Sequence, residues 1–206
     1  MAVALIVVAA CGTSSPPAQG PTAASVAVQT GDLPAGMQKC NISGDIASFL
    51  TSSKTKDPST YTSTKKSWDD AQTNGAIAAY VAFYTDSAAH CTALETNTSD
   101  VSSANYKLAI NFVIQFKDEA AAAKGYTSES IFGFSAASLT SGGAPTQQGA
   151  QTGLSPNSIV ISISIASTSY YVAVWQKKAF MVILAIVNID PASAKKVAQA
   201  ESGRIK

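Results

Sequence analysis

Three apolar runs, residues 75–84, 107–116 and 179–189, each lead within a residue or two to an aspartate and an alanine-rich segment. The middle run has the clearest pattern. Leu108, Ile110, Phe112, Ile114 and Phe116 alternate with Ala109, Asn111, Val113 and Gln115, the period of a strand with one face in a core. The aspartates are Asp86, Asp118 and Asp190. An aspartate in that place accepts hydrogen bonds from the free amides of a helix's first turn. Pro191 suits the first helical position, and alanine is the best helix former. The chain therefore uses strand, aspartate cap and helix three times, at unequal spacings that do not make a repeat array. A carboxylate cluster for metal or acid–base work would need the three aspartates to converge. Capping places them at separate corners, and that is the reading adopted.

More strands follow the same logic. Ile159, Ile161, Ile163 and Ile165 alternate with Val160, Ser162, Ser164 and Ala166. Residues 170–176 place Val172 and Val174 on one face and Tyr171, Ala173 and Trp175 on the other. With polar turns at 167–169 and at Lys177-Lys178, these two strands and the run 179–189 form an antiparallel meander. Its last strand is apolar on both faces, so it should lie centrally, with the helix from Pro191 covering one side. Residues 37–40 suggest a short strand, and 43–50 a short helix capped by Ser43 or Asp45. The lysine- and hydroxyl-rich stretch 51–67 reads as a loop or long hairpin anchored by Tyr61 and Trp68. Residues 135–151, uncharged and rich in Gly, Ser and Thr, read as a surface loop. The fold class expected is α+β: an antiparallel sheet of about five to seven strands with helices packed on it.

The N-terminus carries a different signal. An apolar run ends in Val8-Ala9-Ala10 before Cys11, and signal peptidases need small residues just before the cut. This resembles the lipobox of bacterial lipoproteins. The resemblance implies a signal peptide over residues 1–10 and a diacylglycerol on Cys11, whose two chains suffice for stable anchoring. Residues 11–31 then form the lipidated cysteine and a flexible tether, uncharged and rich in Ser, Thr, Pro, Gly and Ala. Residues 32–206 make a single domain of ordinary size. The longest apolar run, 179–187, is far shorter than the ~20 residues needed to span a bilayer. The location implied is extracytoplasmic, on the outer face of the cell membrane or on the outer membrane. With Cys11 lipidated, Cys40 and Cys91 are left as an even pair in a compartment that permits oxidation, and a Cys40–Cys91 disulfide is expected. Two separate buried thiols are the other reading.

Charge and motif narrow the function. Net charge is +1 with no basic stripe, so nucleic-acid binding has no electrostatic footprint. His90 is the only histidine. It lies four residues after Asp86, beside Cys91, and at helical spacing the two side chains face each other. No Gly-x-Ser-x-Gly elbow accompanies it, so no catalytic residue is assigned. One histidine and two paired cysteines do not make a zinc site, and no metal or cofactor is expected. Phe132-Gly133-Phe134, if exposed, would line a groove for an apolar or carbohydrate ligand. The strand–helix order, with Leu33-Pro-Ala-Gly-Met37, Cys40 and Cys91, is similar to extracellular sensor-like domains of actinobacterial lipoproteins and receptor kinases. That resemblance implies no site residue. The function expected is a lipid-anchored extracytoplasmic binding or sensor-like module without enzymatic activity, whose partner is an envelope component or a small ligand. Two alternatives remain. One is a carrier of an apolar ligand or lipid, in a cavity lined by Phe180, Val182 and Leu184. The other is a weak hydrolase using His90.

Overall fold

The computed structural model describes residues 20–98, 104–128 and 135–206. Its centre is one antiparallel sheet of eight strands: β1 (Gln38–Lys39), β2 (Gly44–Asp45), β3 (Ala76–Thr85), β4 (Leu108–Phe116), β5 (Thr146–Gln148), β6 (Asn157–Ile165), β7 (Thr168–Lys177) and β8 (Phe180–Val187). The order is β1-β3-β4-β8-β7-β6-β5, with β2 also on β3. The class is α+β, as the alternation and cap pattern imply. The expected antiparallel meander β6–β7–β8 forms, with Ser162 opposite Tyr171 and Tyr171 opposite Ile186.

Helices cover both faces. On one side lie α2 (Ile46–Lys56), α3 (Pro58–Thr73), α4 (Ala88–Leu94), α5 (Glu119–Ser128) and α6 (Ala136–Ser141). They close over Phe49, Phe83, Phe112, Phe116 and Met181, and Phe49 stacks on Phe83 at 5.9 Å. On the other side α1 (Ala23–Val26), a 3-10 turn at Thr30–Asp32 and α7 (Pro191–Arg204) close over Trp175, Val182, Leu184 and Ile186. Every residue of β8 is buried, because this central strand meets a helical layer on each side. In β4 the period of two predicts one covered face. Both are covered, so Asn111, a polar member of the second face, is fully buried.

Several sequence expectations are corrected here. Residues 23–31 do not belong to a tether. Ala23, Val26, Ala27 and Val28 are buried in the second core, with α1 held by a Thr22–Ser25 capping box. The folded domain therefore starts before Asp32. Residues 51–67 are not a loop or hairpin but most of two helices, α2 capped by Asp45 and α3 capped by Asp57. α2 buries Ile46, Phe49 and Leu50 in its first half, but from Ser53 onward the inward positions are small, Ser53, Thr60, Thr64 and Ala71, so no apolar stripe marks residues 51–67. The Asp57-Pro58 step is the same N-terminal signal as Asp190-Pro191. Residues 135–151 likewise contain α6, β5 and part of a 3-10 turn. Asp118 and Asp190 cap as expected, accepting from the amides of Ala121 at 2.7 Å and Ser193 at 2.9 Å. Asp86 does not; Ser87 caps α4 in its place.

The second core contains a polar knot. The Asn111 amide donates to Glu201 Oε1 at 2.8 Å and to the Ile183 carbonyl at 3.3 Å, and its oxygen accepts from the Val28 amide at 3.0 Å. Tyr84 donates to the Val28 carbonyl at 2.6 Å. Arg204 makes a two-bond pair with Asp32 and also donates to the carbonyls of Val26 and Ala27. Glu201 is completely buried and its Oε2 has no partner among the described residues. Burial pushes its carboxyl well above 4.5, against the opposing pull of the Asn111 hydrogen bond and the Arg204 charge.

Folded Glu201 holds a proton that the unfolded chain releases above about pH 4.5. This group's stabilisation is therefore complete below that pH and declines as pH rises through its folded value. One proton sets the slope at no more than about 1.4 kcal/mol per pH unit. Glu201→Gln should remove that decline. Urea unfolding from pH 5 to pH 8 should show the wild type losing stability relative to the variant. Parallel curves would mean that Glu201 is ionised in the fold.

Candidate functional site

The cysteine pair is placed as expected. Cys40 follows β1 and Cys91 lies in α4, and the two are joined as a disulfide with Cα atoms 5.1 Å apart. The bridge sits where the sheet edge is broken. Cys40 donates to the Phe83 carbonyl at 2.8 Å, and the Ser43 hydroxyl accepts from the Phe83 amide at 2.9 Å. A hydroxyl thus stands in for the missing backbone partner between β1 and β2. Cys11 lies outside the described residues, as do Phe132, Gly133 and Phe134.

His90 and Asp86 do meet. His90 Nδ1 is 2.6 Å from Asp86 Oδ1, and Asp86 Oδ2 accepts from the Lys107 amide at 3.1 Å. Burial raises the Asp86 carboxyl, but these hydrogen bonds outweigh it and hold the group below 3.8. The imidazole stacks on Tyr106 at 3.8 Å. The neighbouring Ser87 hydroxyl is used as the helix cap, accepting from the His90 amide. This arrangement joins the start of α4 to the approach to β4. Asp118 and Asp190 sit at other corners, and among the described residues no three His, Cys, Asp or Glu side chains converge as a metal site would require.

The carrier cavity proposed from the sequence is not formed. Phe180, Val182 and Leu184 are buried in the same core as Trp175, Val197 and Ala198. α7 supplies the filling, with small residues such as Ala194 and Ala198 letting it approach the sheet closely.

A hollow of about 250 Å³ opens beside the first turn of α7, over β5, β6 and β7. Its floor is made by Gln147 of β5, Val160 and Ser162 of β6, and Tyr171 of β7, and its wall by Pro191 and Lys195 of α7. The sheet face beneath α7 runs from apolar to polar along β6, from buried Val160 to exposed Ser162 and Ser164. Tyr171 is 3% exposed, and its hydroxyl has no hydrogen-bond partner among the described residues. Burial pushes that phenol up to about 12, so it stays protonated as a donor. Lys195 forms no ion pair among the described residues and is the one charged residue lining the hollow. Sequence reasoning placed Tyr171 on the correct face but not at a site. The legible signal was the change from Val160 to Ser162 and Ser164 on a face otherwise apolar.

No protein family matches the chain, and no curated protein matches it in sequence. A solved structure does match in shape. The extracellular domain of PknH from Mycobacterium tuberculosis is 10% identical, with a TM-score of 0.54, and the match covers 91% of this chain and 97% of that one. The likeness is one of fold.

Removing the disulfide tests how far it holds the domain. The bridged residues are 51 apart in sequence, and closing such a loop stabilises by about 4 kcal/mol in the chain-entropy model. Cys40→Ala with Cys91→Ala should lower unfolding stability by roughly 2–4 kcal/mol in urea titrations. Reduction of the wild type should reproduce most of that loss, and a loss below ~1 kcal/mol would contradict the assigned role.

Proposed function

We propose that this chain is an extracytoplasmic, sensor-like binding module without enzymatic activity, held on a membrane by a diacylglycerol on Cys11. The observation that carries the proposal is the use of cysteine. Cys40 and Cys91 are bridged, which suits an oxidising compartment. Cys11 is thereby left as the odd cysteine, in the position a lipobox requires. Likeness of fold to an extracellular domain of a mycobacterial protein supports the same location. Among the described residues no helix is long and apolar enough to cross a membrane.

The non-enzymatic reading rests on how the one histidine is used. His90 is tied to Asp86 through Nδ1 and covered on one ring face by Tyr106. Its neighbouring serine is committed to a backbone amide. The group therefore acts as a clamp between α4 and β4. The hollow beside α7, by contrast, is lined by Lys195, which forms no ion pair among the described residues.

Membrane fractionation with mass analysis of the N-terminus tests the anchor. Wild type should pellet with membranes, its N-terminal peptide beginning at a diacylglyceryl-modified Cys11. Cys11→Ala should lose the lipid mass. A soluble wild type with an unmodified cysteine would defeat the proposal.

A further inference from the structure

We infer that residues 23–32 form a pH-gated clasp, closed while the buried Glu201 carboxyl holds a proton and opened when that proton is lost. The clasp itself does not depend on how the chain is attached. Its consequence for reach rests on the proposed lipid at Cys11, which fractionation tests separately.

Burial and bonding come first. Glu201 is completely buried and forms no ion pair among the described residues. Its Oε1 takes a neutral donor, the Asn111 amide. A carboxylate so placed has no bonded cation to offset its lost hydration, so the neutral acid is the form that fits. The groups packed around it are few. Its own helix brings Arg204, one turn on, and the 3-10 turn brings Asp32, of opposite charge. β3 brings Tyr84 and β7 brings Tyr171, phenols that burial pushes up to about 12. β7 also brings Lys177, whose Nζ donates to the Ser202 carbonyl at 2.7 Å. β4 presents Asn111 and β8 the Ile183 carbonyl. α1 buries only Ala23 and Val26.

Two of these side chains have a second task. Asn111 accepts the Val28 amide with the same group that donates to Glu201. Arg204 commits all three guanidinium nitrogens to Asp32 and the carbonyls of Val26 and Ala27. Beyond these bonds the segment has the Tyr84 hydrogen bond to the Val28 carbonyl and the burial of Ala23, Val26, Ala27 and Val28.

Ionisation sets the two tasks against each other. The cation that a charged Glu201 draws on is Arg204, which reaches it by giving up bonds to the segment. Water reaches it when the segment lifts. Both routes weaken the same hold. Lifting exposes a few small side chains rather than the main core, so it requires less free energy than global unfolding. The closed form keeps a proton that the open form releases. Closure is therefore complete at low pH and is lost as pH rises through the folded value of Glu201. In a chain anchored at Cys11, release of residues 20–32 lengthens the link by up to about 45 Å. Acidification then draws the domain in, and a rise in pH lets it out.

The experiment is residue-resolved amide hydrogen exchange on the full chain in detergent from pH 5 to pH 9, each amide corrected for its intrinsic rate. Val28 reports directly, because its amide is bonded to Asn111. It should exchange faster than the amides of Val182 and Leu184 in β8. Its opening equilibrium should rise by up to about tenfold per pH unit, the limit for one proton, and by at least tenfold over the range. Glu201→Gln should stay flat. Asp32→Asn removes a negative charge near Glu201 and frees Arg204, so its rise should begin at lower pH. That variant keeps the clasp testable if Glu201→Gln folds poorly. The inference is overturned by a flat wild-type profile, by an equal pH slope in Glu201→Gln, or by an unshifted rise in Asp32→Asn. Val28 exchange as slow as that of β8 at every pH would also overturn it, since the segment would then leave only with the whole fold.

Discussion

Asn111 is the point on which the architecture turns. It stands in the middle of β4, in a strand otherwise apolar apart from Gln115, and it is fully buried. Such a side chain is tolerated only where its donors and acceptor are all matched. Here the partners come from three places far apart in sequence: Val28 before the sheet, Ile183 in β8 beside it, and Glu201 in the last helix. A polar group that must be satisfied in this way requires the N-terminal segment and α7 to dock together on one face. Apolar burial would accept α7 at several offsets along the sheet; the Asn111–Glu201 bond accepts one. Arg204 carries the same register outward, through Asp32 and the carbonyls of Val26 and Ala27.

The other face is held differently. Its helices bury short polar residues as well as apolar ones, and the layer is fixed by capping aspartates and one covalent tie. Asp57 both caps α3 and accepts from the Thr98 amide, so one carboxylate joins two segments. Burial raises that carboxyl, but the hydrogen bonds from Thr60 and Thr98 win and hold it below 3.8. The disulfide stands where the edge of the sheet is weakest, between the two-residue strands β1 and β2. An edge broken in this way offers little to a foreign strand, and the cross-link compensates for the ladder bonds it lacks.

How much of this was legible follows from which force acts at each place. β3, β4 and the meander were readable because an alternating apolar pattern has few other uses. The disulfide was readable by arithmetic once Cys11 was set aside. α3 and the second half of α2 were hidden because their inward faces carry Ser53, Thr60 and Thr64, and local hydroxyl bonding to the preceding turn, as at Ser53 to Phe49, leaves no hydropathy signature. The cap Asp57-Pro58 was the available clue, equivalent to the one recognised at Asp190-Pro191. Residues 23–28 read as tether because small residues dominate there; two valines and a partner surface are enough to bury them. The hollow beside α7 was invisible for another reason. It exists because the first turn of α7 is set beside β5, β6 and β7, and that is a property of placement across distant segments, not of any one stretch.

Placement also relates the N-terminal segment to the hollow. The segment is held at the last turn of α7, where Arg204 grips Val26 and Ala27. The hollow lies against the first turn of the same helix, at Pro191 and Ala192. α7 has 14 residues, so at 1.5 Å per residue the two ends are about 20 Å apart. A link of nine residues, 12–20, can span up to about 30 Å, longer than α7 itself. A lipid on Cys11, as proposed, would therefore tether the domain without dictating which end of α7 faces the membrane.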